Sequence, residues 1–187
     1  MLTIHNRKTM TPIEIFRETF RGRRVAVIGN AKPKTDFSES VDTADIVVRL
    51  NHCPNLESGK TGKRIDVIIQ VPTTAWFRLR ESEQHREQIR TARPRVFLLH
   101  NAGLAHIRPL RELLEGLAVH AVSPPPETQG WSTGGKALKM IVAAEPASLN
   151  GYCFSDTEQE FEAYLRTEGR HHLPTAMEEF RSRRALQ

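Results

Sequence analysis

The sequence has few of the features that mark several large protein classes. It contains only two cysteines, Cys53 and Cys153, and neither belongs to a Cys-x-x-Cys pair. A zinc ribbon, a thioredoxin-type motif and a disulfide framework are therefore excluded. No stretch reaches the roughly 18 consecutive apolar residues that a membrane-spanning helix needs, and the first residues lack the apolar segment of a signal peptide. We expect a cytoplasmic protein with two free thiols and no integral membrane segment.

Aromatic residues and uncompensated charge are also sparse. Aromatic residues make up 6% of the 187 residues, and 27 Lys and Arg against 22 Asp and Glu leave a net charge of +5. Arginines in the segment 78–95 alternate with glutamates, which is typical of a solvated helix face. With so few rings to stack on bases, the pattern disfavours nucleic-acid binding. A smaller polyanion, such as a nucleotide phosphate, suits the modest excess better.

The chain does contain a regular alternation of strand and helix patterns. Short apolar runs predict strands over residues 24–29, 45–51, 64–71, 95–100, 117–122 and 149–154. Helical periodicity and capping residues predict helices over residues 12–20, 74–92, 107–115, 132–144, 157–166 and 174–184. Such alternation is typical of parallel sheets. We therefore expect a single α/β domain over residues 1–187, a Rossmann-like three-layer sandwich with a mostly parallel sheet.

Several common motifs are only partly present. Gly59-Lys60-Thr61 lacks the earlier glycine of a P-loop, and the stretch from Gly29 lacks two glycines of the dinucleotide fingerprint. The segment 130–134 fits Gly-x-Ser-x-Gly, and Asp156 and His171 follow it in the order of an α/β-hydrolase. A proline-rich loop nevertheless separates that serine from the nearest strand, so a nucleophile elbow is disfavoured. No metal-ligand spacing and no Asp-x-Asp pair occurs, so we expect no metal.

Two predicted strands end at an asparagine. Gly29-Asn30 follows the first strand, and Asn51 closes the second, two residues after Arg49. Strand ends of a doubly wound sheet line its ligand crevice, and an amide offers both donors and an acceptor to a base or ribose. The alternative for each asparagine is a turn-capping role.

Two further segments carry binding or proton-transfer chemistry. Ser132, Thr133 and Gly134 open a predicted helix, where backbone amides and hydroxyls suit phosphate or carboxylate. A simple N-cap is the alternative. His171 and His172 precede the last predicted helix, and either is a candidate general base. The alternative is an exposed histidine pair.

In this order the segments resemble the sialyltransferase family, glycosyltransferase family 29. Its large motif resembles residues 25–67, with Gly29-Asn30, Arg49-Leu50-Asn51 and a Gly-Lys-Arg turn into a strand. Its small motif resembles Ser132-Thr133-Gly134 followed by a helix and a strand. Its very short motif, a histidine followed by a glutamate, resembles His172 with Glu178. That spacing is six residues, one longer than in the family, and the family's cysteine pair is not evident at matching positions.

The resemblance implies an inverting glycosyltransferase that needs no metal or other cofactor. A CMP-activated sugar would be the donor, and a glycan or another hydroxyl compound the acceptor. Gly29, Asn30 and Asn51 would hold the nucleotide, and Ser132, Thr133 and Gly134 its phosphate or the sugar carboxylate. His172, or else His171, would take the acceptor proton, with Lys32, Lys34 or Arg49 as the cation near the leaving phosphate. Two alternatives remain: a non-catalytic nucleotide-binding protein on the same sheet, and a small nucleic-acid-binding module.

Overall fold

The computed structural model describes residues 10–51, 53, 55–56, 58–100 and 105–155. In chain order the elements are α1 (Pro12–Phe20), β1 (Arg24–Ile28), α2 (Ser38–Asp42), β2 (Ile46–Leu50), β3 (Val67–Gln70), α3 (Pro72–Glu81), α4 (Glu83–Ala92), β4 (Arg95–Leu99), α5 (Ile107–Leu113), β5 (Val119–Val122), a 3-10 turn (Pro126–Thr128), α6 (Thr133–Val142) and β6 (Ser148–Tyr152).

The strands form one sheet with the order β5-β4-β3-β2-β1-β6. Every pairing is parallel, as in Val27 beside Val48 and Val27 beside Gly151. The prediction of a Rossmann-like α/β fold with a parallel sheet is therefore confirmed. Near-continuous burial along β1 to β4 explains why these strands are mostly apolar, with Arg49 and Gln70 as buried polar exceptions.

The direction in which the chain crosses the sheet changes once. From β1 to β5 each strand is added on the same side, and the chain then returns to place β6 on the other side of β1. Right-handed crossovers put the connections before and after such a reversal on opposite faces. Accordingly, α6 packs with β1, β2 and β3 in one core cluster, whereas α3, α4 and α5 belong to a cluster on the other face. The crevice expected at such a switch point lies outside the carboxyl ends of β1 and β6.

The first helix illustrates how local sequence sets an element's start. Thr11 accepts a hydrogen bond from the amide of Glu14, and the Glu14 carboxylate accepts one from the amide of Thr11 at 2.7 Å. This reciprocal capping box fixes the first turn. The apolar stripe then places Phe16 and Phe20 against Phe97 of β4, with ring centroids 4.8 and 6.3 Å away. All three rings are fully buried.

The helix predicted over residues 74–92 is in fact two helices. Ser82 has an extended backbone conformation and accepts a hydrogen bond from the amide of His85, so it ends α3 and caps α4. A serine in the middle of a helical pattern can serve as an N-cap, and here it does. The short helix α2 was not predicted. The helices predicted over residues 157–166 and 174–184 lie outside the described residues.

Within the part of the chain that the structure describes, no helix is long and apolar enough to cross a bilayer.

Candidate functional site

The turn after β1 lies directly against the end of β6. The amide of Gly29 donates to the carbonyl of Tyr152 at 2.7 Å, and the amide of Ala31 donates to the carbonyl of Cys153 at 2.9 Å. A Cβ on Gly29 would come within 2.4 Å of the Cys153 carbonyl oxygen. Glycine at this position is therefore required by the close approach of two chain segments. These contacts place Asn30 at the switch point.

The start of α6 lies at the same edge of the sheet. A Cβ on Gly134 would come within 2.9 Å of the Phe154 ring and 3.3 Å of the Leu50 side chain. The first turn of α6 thus sits over the carboxyl ends of β2 and β6. Ser132 is the N-cap, and its hydroxyl accepts a hydrogen bond from the amide of Gly135 at 3.1 Å. Thr133 is buried beside it.

Asn51 closes β2 in an unusual backbone conformation. Its φ is +53°, in the left-handed region that asparagine tolerates better than most residues. Its amide donates to the carbonyl of Ile69 at 3.0 Å, which places it opposite the last residue of β3, Gln70. The predicted nucleotide-binding residues Gly29, Asn30, Asn51, Ser132, Thr133 and Gly134 therefore all belong to the carboxyl edge of the sheet.

Three buried side-chain atoms near this edge have no hydrogen-bond partner among the residues that the structure describes. They are Asn30 Oδ1, Gln70 Nε2 and Trp131 Nε1. Gln70 is 2% exposed and Trp131 is 4% exposed. A buried polar group without a partner costs about 1–3 kcal/mol, so native proteins pair nearly all of them. Two donors and one acceptor therefore need partners from outside the described residues.

Arg49 has a different position from the other predicted site residues. Its side chain is fully buried, and burial lowers the pKa of its guanidinium from the usual value. The guanidinium donates to the carbonyls of Arg64, Thr61 and Gly62 at 2.8–2.9 Å and to the Thr61 hydroxyl at 3.1 Å. These contacts hold the loop between β2 and β3 against the sheet. Four of its five N–H donors are thus used inside the protein.

The network continues from Arg49 to the turn that carries Asn30. The hydroxyl of Thr61 donates to the carbonyl of Asn55 at 3.0 Å. The side-chain amide of Asn55 then donates to the carbonyls of Gly29 and Ala31 at 3.0 and 2.8 Å. Asn55 is 5% exposed. The guanidinium of Arg49 consequently supports the Gly29–Ala31 turn through two intermediate residues.

The site residues predicted from the sequence did not include Gln70, Trp131 or Asn55. Gln70 follows the same rule as Asn30 and Asn51, since it is a polar residue at the end of an apolar strand. Because the predicted strand ended at residue 71, Gln70 was not recognised as the last residue of β3. Trp131 directly precedes the Ser-Thr-Gly segment, so its position was available from sequence. Nothing local marks Asn55, because its partners are 24 and 26 residues away.

The predicted catalytic histidines, His171 and His172, lie outside the described residues, as does Glu178. Among the described residues, no group of three or more His, Cys, Asp and Glu side chains is arranged to hold a metal ion. Lys32 is exposed two residues after Asn30, and Lys34 is exposed further along the same loop.

Both cysteines are free, as expected from the sequence. Burial raises the pKa of Cys53 to about 12 and that of Cys153 to about 11, although Arg49 lowers both somewhat. Neither thiol is therefore a nucleophile near neutral pH.

We expect this burial to give the fold a pH dependence on the alkaline side. Thiols of the unfolded chain ionise near pH 9, whereas the folded thiols keep their protons to about pH 11 and 12. Because the unfolded state then binds fewer protons, the free energy of unfolding should fall as the pH rises above about 9. Urea titrations between pH 7 and 10.5 measure this. The double variant Cys53→Ala/Cys153→Ala is the control, and an equal decline in that variant would contradict the prediction.

Comparison with known proteins does not assign a family to this chain. No protein-family model matches the chain, and no curated protein matches its sequence.

Proposed function

We propose that this chain is a sialyltransferase-like glycosyltransferase that moves a sugar from a CMP-activated donor to an acceptor hydroxyl. The observation that carries the proposal is a set of three buried polar atoms, of Asn30, Gln70 and Trp131, that have no partner in the described part of the chain. They belong to the strand ends and to the start of α6, where parallel α/β sheets bind their ligands. The motif resemblance is the second support, because its asparagines and its Ser-Thr-Gly segment come from the same edge.

The chemistry of a CMP-activated sugar suits these groups. Asn30 Oδ1 is an acceptor, and a cytosine amino group or a ribose hydroxyl is a donor. Gln70 Nε2 and Trp131 Nε1 are donors, and the base, the phosphate and the sugar carboxylate offer acceptor oxygens. Since all three atoms are buried, nucleotide binding requires the side chains or loops that cover them to shift.

The proposed reaction is a single displacement with inversion at the anomeric carbon. The acceptor oxygen forms a bond to that carbon while the bond from the carbon to the phosphate oxygen breaks. The acceptor proton passes to His172, and CMP leaves with the electron pair. Developing charge on the phosphate is stabilised by amides and nearby cations. Lys32 suits this role better than Arg49, because Lys32 is exposed beside Asn30 whereas the Arg49 guanidinium is committed to the β2–β3 loop.

A non-catalytic nucleotide-binding protein is the second candidate. The observation in its favour is that the unpartnered groups are two amides and an indole. These groups bind ligands, but none of them transfers a proton near neutral pH.

We expect CMP to stabilise the chain more than UDP, GDP or NAD does. A ligand that binds only the folded state stabilises it by about 2.7 kcal/mol at a concentration 100 times its Kd. A thermal-shift series with the four compounds at equal concentrations measures the preference. A CMP-activated sugar that is consumed only when an acceptor is present identifies the transferase. Binding of CMP without transfer identifies the second candidate, and no shift with any compound rejects both.

Two substitutions connect this shift to the proposed site. Gln70→Leu removes a buried amide that lacks a partner, so the free protein should become more stable by about 1–3 kcal/mol. The same variant should bind CMP at least about 10-fold more weakly. Asn51→Gly keeps the positive φ accessible, so it should weaken CMP binding with little loss of stability. Unchanged CMP affinity in both variants would contradict the placement of the nucleotide.

A further inference from the structure

A concave site lies at the amino-terminal edge of the sheet, whereas the proposed nucleotide site is at the carboxyl edge. It is a cavity of about 350 Å³ between the starts of β2, β3 and β4 and the segment that leads into β5. Its buried floor includes Thr19, Val67 and Pro94. The residues that line it are Thr19, Ile46, Asp66, Val67, Arg93, Pro94, Arg95, Gly116, Leu117 and Ala118. That volume is at the small end of the range for ligand pockets.

The charges around this cavity do not cancel. Asp66, the single acidic residue in its lining, already accepts hydrogen bonds from Arg64 at 2.7 Å and from the amide of Val47 at 2.8 Å. Among the described residues, neither Arg93 nor Arg95 forms an ion pair. Arg95 is exposed and donates to the neutral hydroxyl of Thr19, so no described carboxylate offsets its charge. Two arginines therefore give the lining of one concave surface a net positive charge.

Arg93 has a backbone conformation that is unusual for an arginine. Arg93 is the C-cap of α4, with φ +49° and ψ +46°, and its amide donates to the carbonyl of Ile89 at 3.0 Å. Helices that end in this left-handed conformation usually have glycine or asparagine there. A long cationic side chain is thus present at a position where the backbone favours a residue without one.

We propose that this cavity binds the phosphoryl group of a small phosphorylated molecule. Guanidinium groups present a planar fork of N–H donors that matches phosphate oxygens, which makes arginine the preferred residue for such contacts. The inference does not rest on the proposed transferase activity, because the cavity and the nucleotide site lie at opposite edges of the sheet. An experiment that contradicts one of these two proposals therefore does not contradict the other.

The test is a titration of the full chain with inorganic pyrophosphate, in which two-dimensional NMR spectra record the change in each amide chemical shift. We expect saturable shifts at Arg95 and at Gly116, Leu117 and Ala118. Shifts that do not saturate, or that occur only around Asn30 and Gly134, would overturn the proposal. Equal affinity for acetate would also overturn it, since a phosphoryl site should prefer the pyrophosphate anion.

Arg93→Gly is the decisive variant, because it removes the charge while suiting the left-handed backbone. We expect it to weaken pyrophosphate binding by about 10-fold or more while the melting temperature stays level or rises. Arg108→Ala is the matched control, since Arg108 is 91% exposed and pairs with Glu112 on α5. Unchanged binding in Arg93→Gly, or an equal loss in Arg108→Ala, would show that the cavity makes no specific contact.

Discussion

Replacing Arg49 with methionine is expected to lower the free energy of unfolding by about 3–5 kcal/mol, because several hydrogen bonds of one buried guanidinium are lost together. Methionine fills much of the space but leaves the carbonyls of Thr61, Gly62 and Arg64 without their donor. Each buried carbonyl that loses its donor costs a substantial part of its desolvation energy. Urea unfolding followed by circular dichroism measures the change.

Arg49→Met also tests whether this arginine supports the fold or contacts the ligand directly. If Arg49 supports the Gly29–Ala31 turn through Thr61 and Asn55, Arg49→Met should also weaken CMP binding. Asn55→Ala should then weaken CMP binding too, although it leaves the guanidinium in place. Thr43→Ala is a suitable control, since the Thr43 hydroxyl donates to the exposed carbonyl of Ser40 at 3.0 Å, away from this network. If Arg49→Met keeps normal stability and only CMP affinity falls, the guanidinium contacts the ligand directly and the structural role is wrong.

His172→Ala is expected to lower sugar transfer by about 10²–10⁴-fold, the usual contribution of a general base. An acceptor hydroxyl must lose its proton as it attacks the anomeric carbon, and an imidazole with a pKa of about 6.5 accepts that proton near neutral pH. His172 directly precedes Leu173-Pro174, and proline restricts the backbone of the residue before it. We therefore expect the backbone to enter the last predicted helix in a restricted direction, which would orient His172.

His171→Ala is the matched control for this variant, and both proteins should bind CMP like the unmodified chain. Initial rates with a CMP-activated sugar, at saturating donor, measure the effect. If His171→Ala is the slow variant, the two histidines have exchanged roles. If neither variant is slow although the unmodified chain transfers the sugar, another residue is the base. A candidate is then His100, which follows β4 at the carboxyl edge.

The sequence alone determined the class of fold, for reasons that lie within short segments. Strands such as β1 and β3 are buried on both faces over almost all of their length, which explains the apolar runs visible in the sequence. The start of α1 was predictable because Thr11 and Glu14 form a capping box within one turn. Parallel strands then require crossovers of one hand, so the alternation of elements restricts the topology to a few arrangements.

Only the tertiary structure decided what several individual residues do. Arg49 lies in a motif that resembles a nucleotide-binding one, yet its donors go to a loop 12 to 15 residues away. Asn55 contacts the Asn30 turn across more than 20 residues, and no periodicity or spacing encodes such a contact. Gln70 Nε2 and Trp131 Nε1 became candidates because both are buried without a partner in the described segments, which is a property of packing. A sequence shows which groups are present, whereas their hydrogen-bond partners depend on the packing of distant segments.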